Sequence, residues 1–268
     1  MGFIRLNPES PAPGVLLQKR RHLIMSEKSG GILDMLKTVV YAVLIAVGVR
    51  TVAYEPFNIP SGSMLPTLLI GDYLFVSKLS YGYSRYSLPL DLPLFPGRIL
   101  FEEPERGDVI VFKHPTADKT YIKRLIGLPG DKIQVKGGIL HINDVPVKRR
   151  KIEDYAHHTE NGGVIVFQQY IETLPNGVEH RILEQSDTGF LDNTGVYDVP
   201  PGHYFMMGDN RDRSSDSRNM SDVGFVPQVN LVGRAVILFY SVDETTSLLK
   251  PWTWPTGIRY GRLLNGIE

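Results

Sequence analysis

Two serines one glycine apart, Ser61 and Ser63, stand between Pro60 and Pro66 in the segment Phe57 to Asp72, FNIPSGSMLPTLLIGD. Prolines restrict the backbone on both sides and hold the turn in one shape, while Gly62 lets another backbone come close. A serine in such a turn becomes a nucleophile for acyl transfer only beside an activating base. On composition alone an ordinary Ser/Gly/Pro loop is the stronger reading, and neither a G-x-S-x-G elbow nor a Ser-His-Asp set is evident. A candidate base lies in Tyr121 to Asp131, YIKRLIGLPGD, where Lys123 sits among Tyr121, Ile122, Leu125 and Ile126. On a strand its ammonium is pressed against apolar neighbours, and desolvation disfavours the charged form. Bringing a lysine from about 10.4 to about 7–8, where it can accept a proton, takes roughly 4 kcal/mol, within the reach of burial. A solvated strand lysine remains the usual fate of this residue type.

A third stretch, Gly208 to Met220, reads GDNRDRSSDSRNM. Asp, Asn, Arg and Ser this densely mixed can brace a buried polar turn through charge-assisted hydrogen bonds, and that role is favoured over a solvated loop. A calcium loop is a weaker reading, because the D-x-[DN]-x-[DN]-G order with a later Glu is absent. Seven histidines include no H-E-x-x-H, so no catalytic metal is expected. Ser247 to Lys250 spells S-x-x-K, but Pro251 follows and neither S-D-N nor K-T-G occurs.

These segments need elements to hold them. Thr38 to Val49, TVVYAVLIAVGV, is uncharged, and with its flanks it reaches the length of about 20 apolar residues that a bilayer core requires. Asp34, Lys37 and Arg50 fall near its ends, where basic side chains reach the headgroups, so a transmembrane helix over 32–54 is expected. A buried core helix and a cleaved export signal are the alternatives; cleavage close behind the apolar run would put the new terminus beside the serine motif. Arg5, Lys19, Arg20, Arg21 and Lys28 outnumber Glu9 and Glu27 ahead of the span, which predicts a cytoplasmic tail over 1–31 and an exported remainder. Met25, opening MSEKSGG, is a second candidate start.

Beyond the span the signals are β. Asp108 to Phe112, DVIVF, and Leu231 to Tyr240, LVGRAVILFY, read as strands. Lys132 to Val147 reads as a meander with hairpin turns at Gly137-Gly138 and Asn143-Asp144. Residues 148–196 are more polar and are punctuated by Asn161-Gly162-Gly163 and Pro175-Asn176-Gly177, which predicts an inserted subdomain of short hairpins. The expectation is a mainly β fold: a large antiparallel, barrel-like sheet over 55–268 with a smaller β insertion, preceded by one apolar helix. With 29 basic and 29 acidic residues there is no net field to attract nucleic acid, and with no cysteine there is no disulfide or thiolate chemistry.

Taken in order, PSGSMLPTL, RGDVIVF at Arg106 to Phe112, YIKRLIGLPGD, GDNRDRSSDSR and WPTGIR at Trp254 to Arg259 resemble the successive boxes of bacterial type I signal (leader) peptidases. The likeness covers most of Phe57 to Pro227 apart from the insertion. It implies a Ser/Lys endopeptidase of the inner membrane, facing the periplasm, that removes signal peptides from exported preproteins after A-x-A sites without metal or other cofactor. It places the nucleophile on Ser63 and the base on Lys123. Ser61 adds its hydroxyl to an oxyanion hole beside the Ser63 N–H, Ser214 orients Lys123, and Asp209, Asp216 and Arg218 brace the site. Phe57, Ile59, Pro60, Met64, Leu68, Tyr121 and Ile122 would line the substrate pockets. Preproteins and membrane lipid are the implied partners, with Trp252 and Trp254 at the lipid surface or in the core. The chain departs from the family in having one apparent span where two are common, and in lacking a cysteine pair in the insertion. Two rivals remain: a Ser/Lys self-cleaving repressor, which would carry a helix-turn-helix in place of the span, and a membrane-anchored binding module without catalysis.

Overall fold

Alternation and turn chemistry shape most of the chain. The computed structural model describes residues 31–88, 91–158, 163–243, 246 and 251–267, in two compact units, 1–47 and 48–268. The expected tail over 1–31, the Asn161-Gly162 turn and the S-x-x-K at Ser247 to Lys250 lie almost wholly outside the described residues. A 21-residue helix, Ile32–Val52, has Asp34 in its first turn and Arg50 in its last, matching the helix dipole. None of its residues is buried, and among the described residues it is the one helix long and apolar enough to cross a membrane. It ends two residues short of the expected boundary at 54, because Tyr54–Asn58 is already a strand paired with Asp72–Ser77.

That pair begins a seven-stranded sheet that continues through Leu231–Ser241, Val109–Lys113, Thr120–Gly127, His203–Met207 and Val226–Pro227. All neighbours are antiparallel, and the sheet curls into a half-barrel whose edges are the first and last of these strands. The DVIVF run is apolar without alternation because both faces of its strand are covered. Val109 and Val111 join Met64, Leu68, Leu74 and Leu238 in one core cluster, whereas Ile110 and Phe112 join Leu125, Tyr204 and Met206 in another.

The meander forms a sheet of its own: Lys132–Lys136, Ile139–Ile142 and Val145–Pro146, with Tyr197–Asp198 on the far side of the first strand. Gly137 and Gly138 have φ of 54° and 72°, Asn143 and Asp144 53° and 65°, the left-handed pair that two-residue hairpins demand. In the insertion, Val164–Thr173 pairs with Lys148–Lys151, Tyr155–His158 and Glu179–Glu184. This sheet is anchored to the serine turn: Phe167 and Leu183 pack with Leu65, and the Leu183 N–H donates to the Asp209 carbonyl at 2.8 Å.

Candidate active site

Gly62–Met64 is a single 3₁₀ turn closed by the Leu65 N–H on the Gly62 carbonyl, entered from an extended Ser61. The turn sends alternate side chains to opposite fates. Ser61 is exposed at the rim and Ser63 sits 9% exposed on the cleft floor. Met64 and Leu68, expected to line the pockets, are instead fully buried beneath the floor against Ile59, Leu74 and Val76. The tight turn rotates Met64 inward, and core packing gains more from these two large side chains than an open cleft would.

Lys123 comes from the middle of Thr120–Gly127 and is 4% exposed. Its Nζ lies 2.6 Å from Ser63 Oγ and 3.1 Å from the Ile122 carbonyl, with the Tyr121 ring centroid at 5.3 Å. Burial lowers its pKa to about 8; the Asp216 and Asp209 charges hold it from falling further, and Arg218 adds to the fall. Of the opposing effects desolvation is the larger.

The polar loop packs behind this pair. His203–Met207 pairs Met207 with Arg124, so the next residue, Gly208, comes level with Lys123. A Cβ on Gly208 would stand 2.5 Å from the Ser63 carbonyl oxygen and closer still to Ser214 Oγ, so only glycine fits. Asn210 ties the serine turn down twice: its N–H donates to the Ser63 carbonyl at 3.1 Å and its Nδ2 to the Gly62 carbonyl at 2.9 Å. Asp209 accepts two bonds from Arg124, at 2.9 and 2.8 Å, and one from Thr67 at 2.5 Å. Asp216 accepts two from Arg218, both at 2.9 Å, and one from the Gly208 N–H at 3.0 Å. Burial opposes ionisation of both carboxyls, but the arginine charges and these bonds hold each below the usual carboxylate range.

The Ser214 hydroxyl is buried against Gly208, and no hydrogen bond joins it to Lys123, whose Nζ is taken up by Ser63 and the Ile122 carbonyl. A second buried network, invisible in the sequence, lies behind Asp209. Arg211 clamps Glu172 of the insertion at 2.9 and 2.5 Å, and His180 Nε2 lies 3.3 Å from the same carboxylate. Burial and the Arg124 charge push the His180 pKa down, against the pull of Glu172 and Asp209.

Over Ser63 and Lys123 opens a mainly apolar cleft of about 660 Å³. Phe57, Ile59, Pro60, Tyr121 and Ile122 line it, together with Ser61. Val111, Ile70, Phe167, His157, Asn210 and Arg213 were not foreseen. Val111 was within reach of sequence reasoning, since it stands opposite Ile122 in the ladder and shares its face. Phe167 and His157 come from the insertion, whose docking no local pattern reveals. Trp252 is 73% exposed and Trp254 is 37% exposed, so neither is a core residue.

The geometry is that of a buried hydroxyl and a depressed lysine beneath an extended apolar groove. Comparison with known proteins decides what it belongs to. The family model described as signal peptidase, peptidase S26, matches residues 32–240. The chain belongs to the signal peptidase family S26. A signal peptidase I of Rickettsia typhi is 41% identical over 245 residues, covering 85% of this chain and 90% of the relative. The signal peptidase I of Rickettsia conorii is 40% identical over the same length and the same shares. A crystal structure of a signal peptidase I from Enterococcus faecalis V583 is 31% identical, covering 50% of this chain and 97% of that one, with a TM-score of 0.30. Membership in S26 makes the chain a peptidase and sets aside the binding-module reading. The match begins at the first residue of the apolar helix, which fits a single-pass membrane protein.

Proposed function

We propose that this chain is a membrane-anchored serine endopeptidase that removes signal peptides from exported preproteins, with Ser63 as nucleophile and Lys123 as general base. The observation that carries the reading is the 2.6 Å approach of an uncharged-capable, buried amine to a buried hydroxyl at the floor of the cleft. In the forward step Lys123 takes the Ser63 proton as Oγ attacks the scissile carbonyl, and the Ser63 N–H and Ser61 hydroxyl receive the developing oxyanion. Lys123 then returns the proton to the leaving amine, and water, activated by the same amine, attacks the acyl-enzyme. Asp209, Asp216 and Arg218 act indirectly by fixing the loop that holds the Ser63 backbone, and Ser214 fills the space beside Gly208. The apolar walls at Phe57, Ile59, Pro60, Tyr121 and Ile122 suit the small residues of A-x-A sites.

The topology that goes with this reading has residues 1–31 in the cytoplasm, the span at 32–52 in the inner membrane, and the chain from Tyr54 onward as the periplasmic catalytic domain with 148–196 inserted. Ser63 follows the span closely in sequence. The test is cleavage of an A-x-A peptide in detergent by the intact chain, Ser63→Ala and Lys123→Met. Both variants are expected to be folded and inactive; substantial cutting by both sinks the assignment.

A further inference from the structure

Outside the cleft, three carboxylates from separate segments converge. Glu184 ends the strand Glu179–Glu184, Asp192 lies in the loop that follows, and Asp212 sits in the 3₁₀ turn Arg211–Arg213 of the polar loop. One oxygen from each lies within 4.8 Å of the others. The neighbouring arginines make no hydrogen bond to them: Arg211 is committed to Glu172 and the Gly208 carbonyl, and Arg218 to Asp216 and the Arg211 carbonyl. Backbone N–H groups fix two of the three: Gln185 and Ser186 donate to Asp212, and Gly189 donates to Asp192.

Two oxygens remain with nothing to bond. Glu184 Oε2 and Asp192 Oδ1 are fully buried and unpartnered, in residues only 2% and 1% exposed. A buried anionic oxygen without a donor is strongly unfavourable unless a cation or proton meets it. Gly189 packs closely on two of the carboxylates, since a Cβ there would stand 2.8 Å from Asp212 Oδ1 and 3.1 Å from Asp192 Oδ2. An all-oxygen, all-carboxylate set suits a hard divalent cation. Mg²⁺ dehydrates reluctantly and is usually held by one or two carboxylates with several waters, so three converging carboxylates suit Ca²⁺ better.

We propose that Glu184, Asp192 and Asp212 form a Ca²⁺ site that clamps the 185–192 loop of the insertion to the polar loop carrying Asp209 and Asn210. The ion closes a ring of contacts that already includes the Leu183–Asp209 hydrogen bond and the Arg211–Glu172 pair, and so stiffens the support of Asn210 on the serine turn.

The experiment uses the full chain in detergent after chelator treatment, with equilibrium dialysis against radioactive Ca²⁺ and thermal unfolding with Ca²⁺ or Mg²⁺ added back. One Ca²⁺ per chain is expected to be retained at millimolar or lower free ion, with Tm raised by several degrees by Ca²⁺ and less by Mg²⁺. Glu184→Gln removes one ligand charge and should lose at least tenfold in Ca²⁺ affinity. Asp192→Asn should lose affinity likewise, which guards against misfolding of either single variant. No Ca²⁺ retained by the parent at millimolar concentration, or an equal Tm response in the parent and both variants, overturns the proposal.

Discussion

Raising the pH from 6 to 8 is expected to increase kcat/KM for an A-x-A peptide about fiftyfold, because only the neutral Lys123 amine can accept the Ser63 proton. With burial bringing the lysine to about 8, the neutral fraction is about 1% at pH 6, about a tenth at pH 7 and half at pH 8. Above pH 9 the profile should level off. The assay is initial-rate cleavage in detergent, at substrate well below KM, with a peptide that has no group titrating in this range. The same depressed pKa sets a stability effect of defined sign. Below pH 8 Lys123 is protonated both folded and unfolded, and the native state bears the full cost of burying its charge. That cost fades as pH rises through about 8 and is gone above the ordinary value of 10.5. Lys123→Met, which removes the charge and keeps the bulk, should therefore gain up to roughly 3 kcal/mol at pH 7, seen as a higher denaturant midpoint at unchanged m. A flat rate profile from pH 6 to 9, or one that climbs only near pH 10, would refute the reasoning.

Further outcomes follow from the packing around the pair. Gly208→Ala places a methyl against the Ser63 carbonyl and should cost about 1–3 kcal/mol of stability and most of the activity, measured by chemical denaturation and peptide cleavage. Arg124→Met strands the buried Asp209 carboxylate and should destabilise by about 3–5 kcal/mol, read from the urea midpoint. Ile122→Ala enlarges the cleft wall and should shift the ratio of kcat/KM for leucine over alanine at the cut site upward by about tenfold, as one removed branch of a pocket allows.

The chemistry-bearing segments were legible because each states its own geometry. Pro60 and Pro66 announce a fixed turn at the serines, and the apolar company of Lys123 announces its burial, which the strand Thr120–Gly127 delivers. The meander was equally plain, since Gly137-Gly138 and Asn143-Asp144 can hardly do anything but turn. What stayed hidden is pairing between distant charges. Glu172 and His180 sit in a stretch polar enough to read as solvated, and nothing local says that Arg211 buries them. Met64 and Leu68, which the resemblance implies as pocket walls, are packed into the core cluster beneath the serine turn, a burial that no local pattern announces. Ser214 likewise stands near the reacting pair without bonding to the lysine.

The Arg211–Glu172 clamp has a consequence for anyone who would shorten this enzyme. Excising residues 148–196 looks like trimming decoration from a working centre, yet it would remove the Glu172 carboxylate and leave the Arg211 guanidinium unpaired one loop away from the nucleophile. A minimal version must therefore change Arg211 in the same stroke, to a neutral side chain of similar volume. The appendage and the loop are bound to one another as lock and bolt, and neither can be redesigned alone.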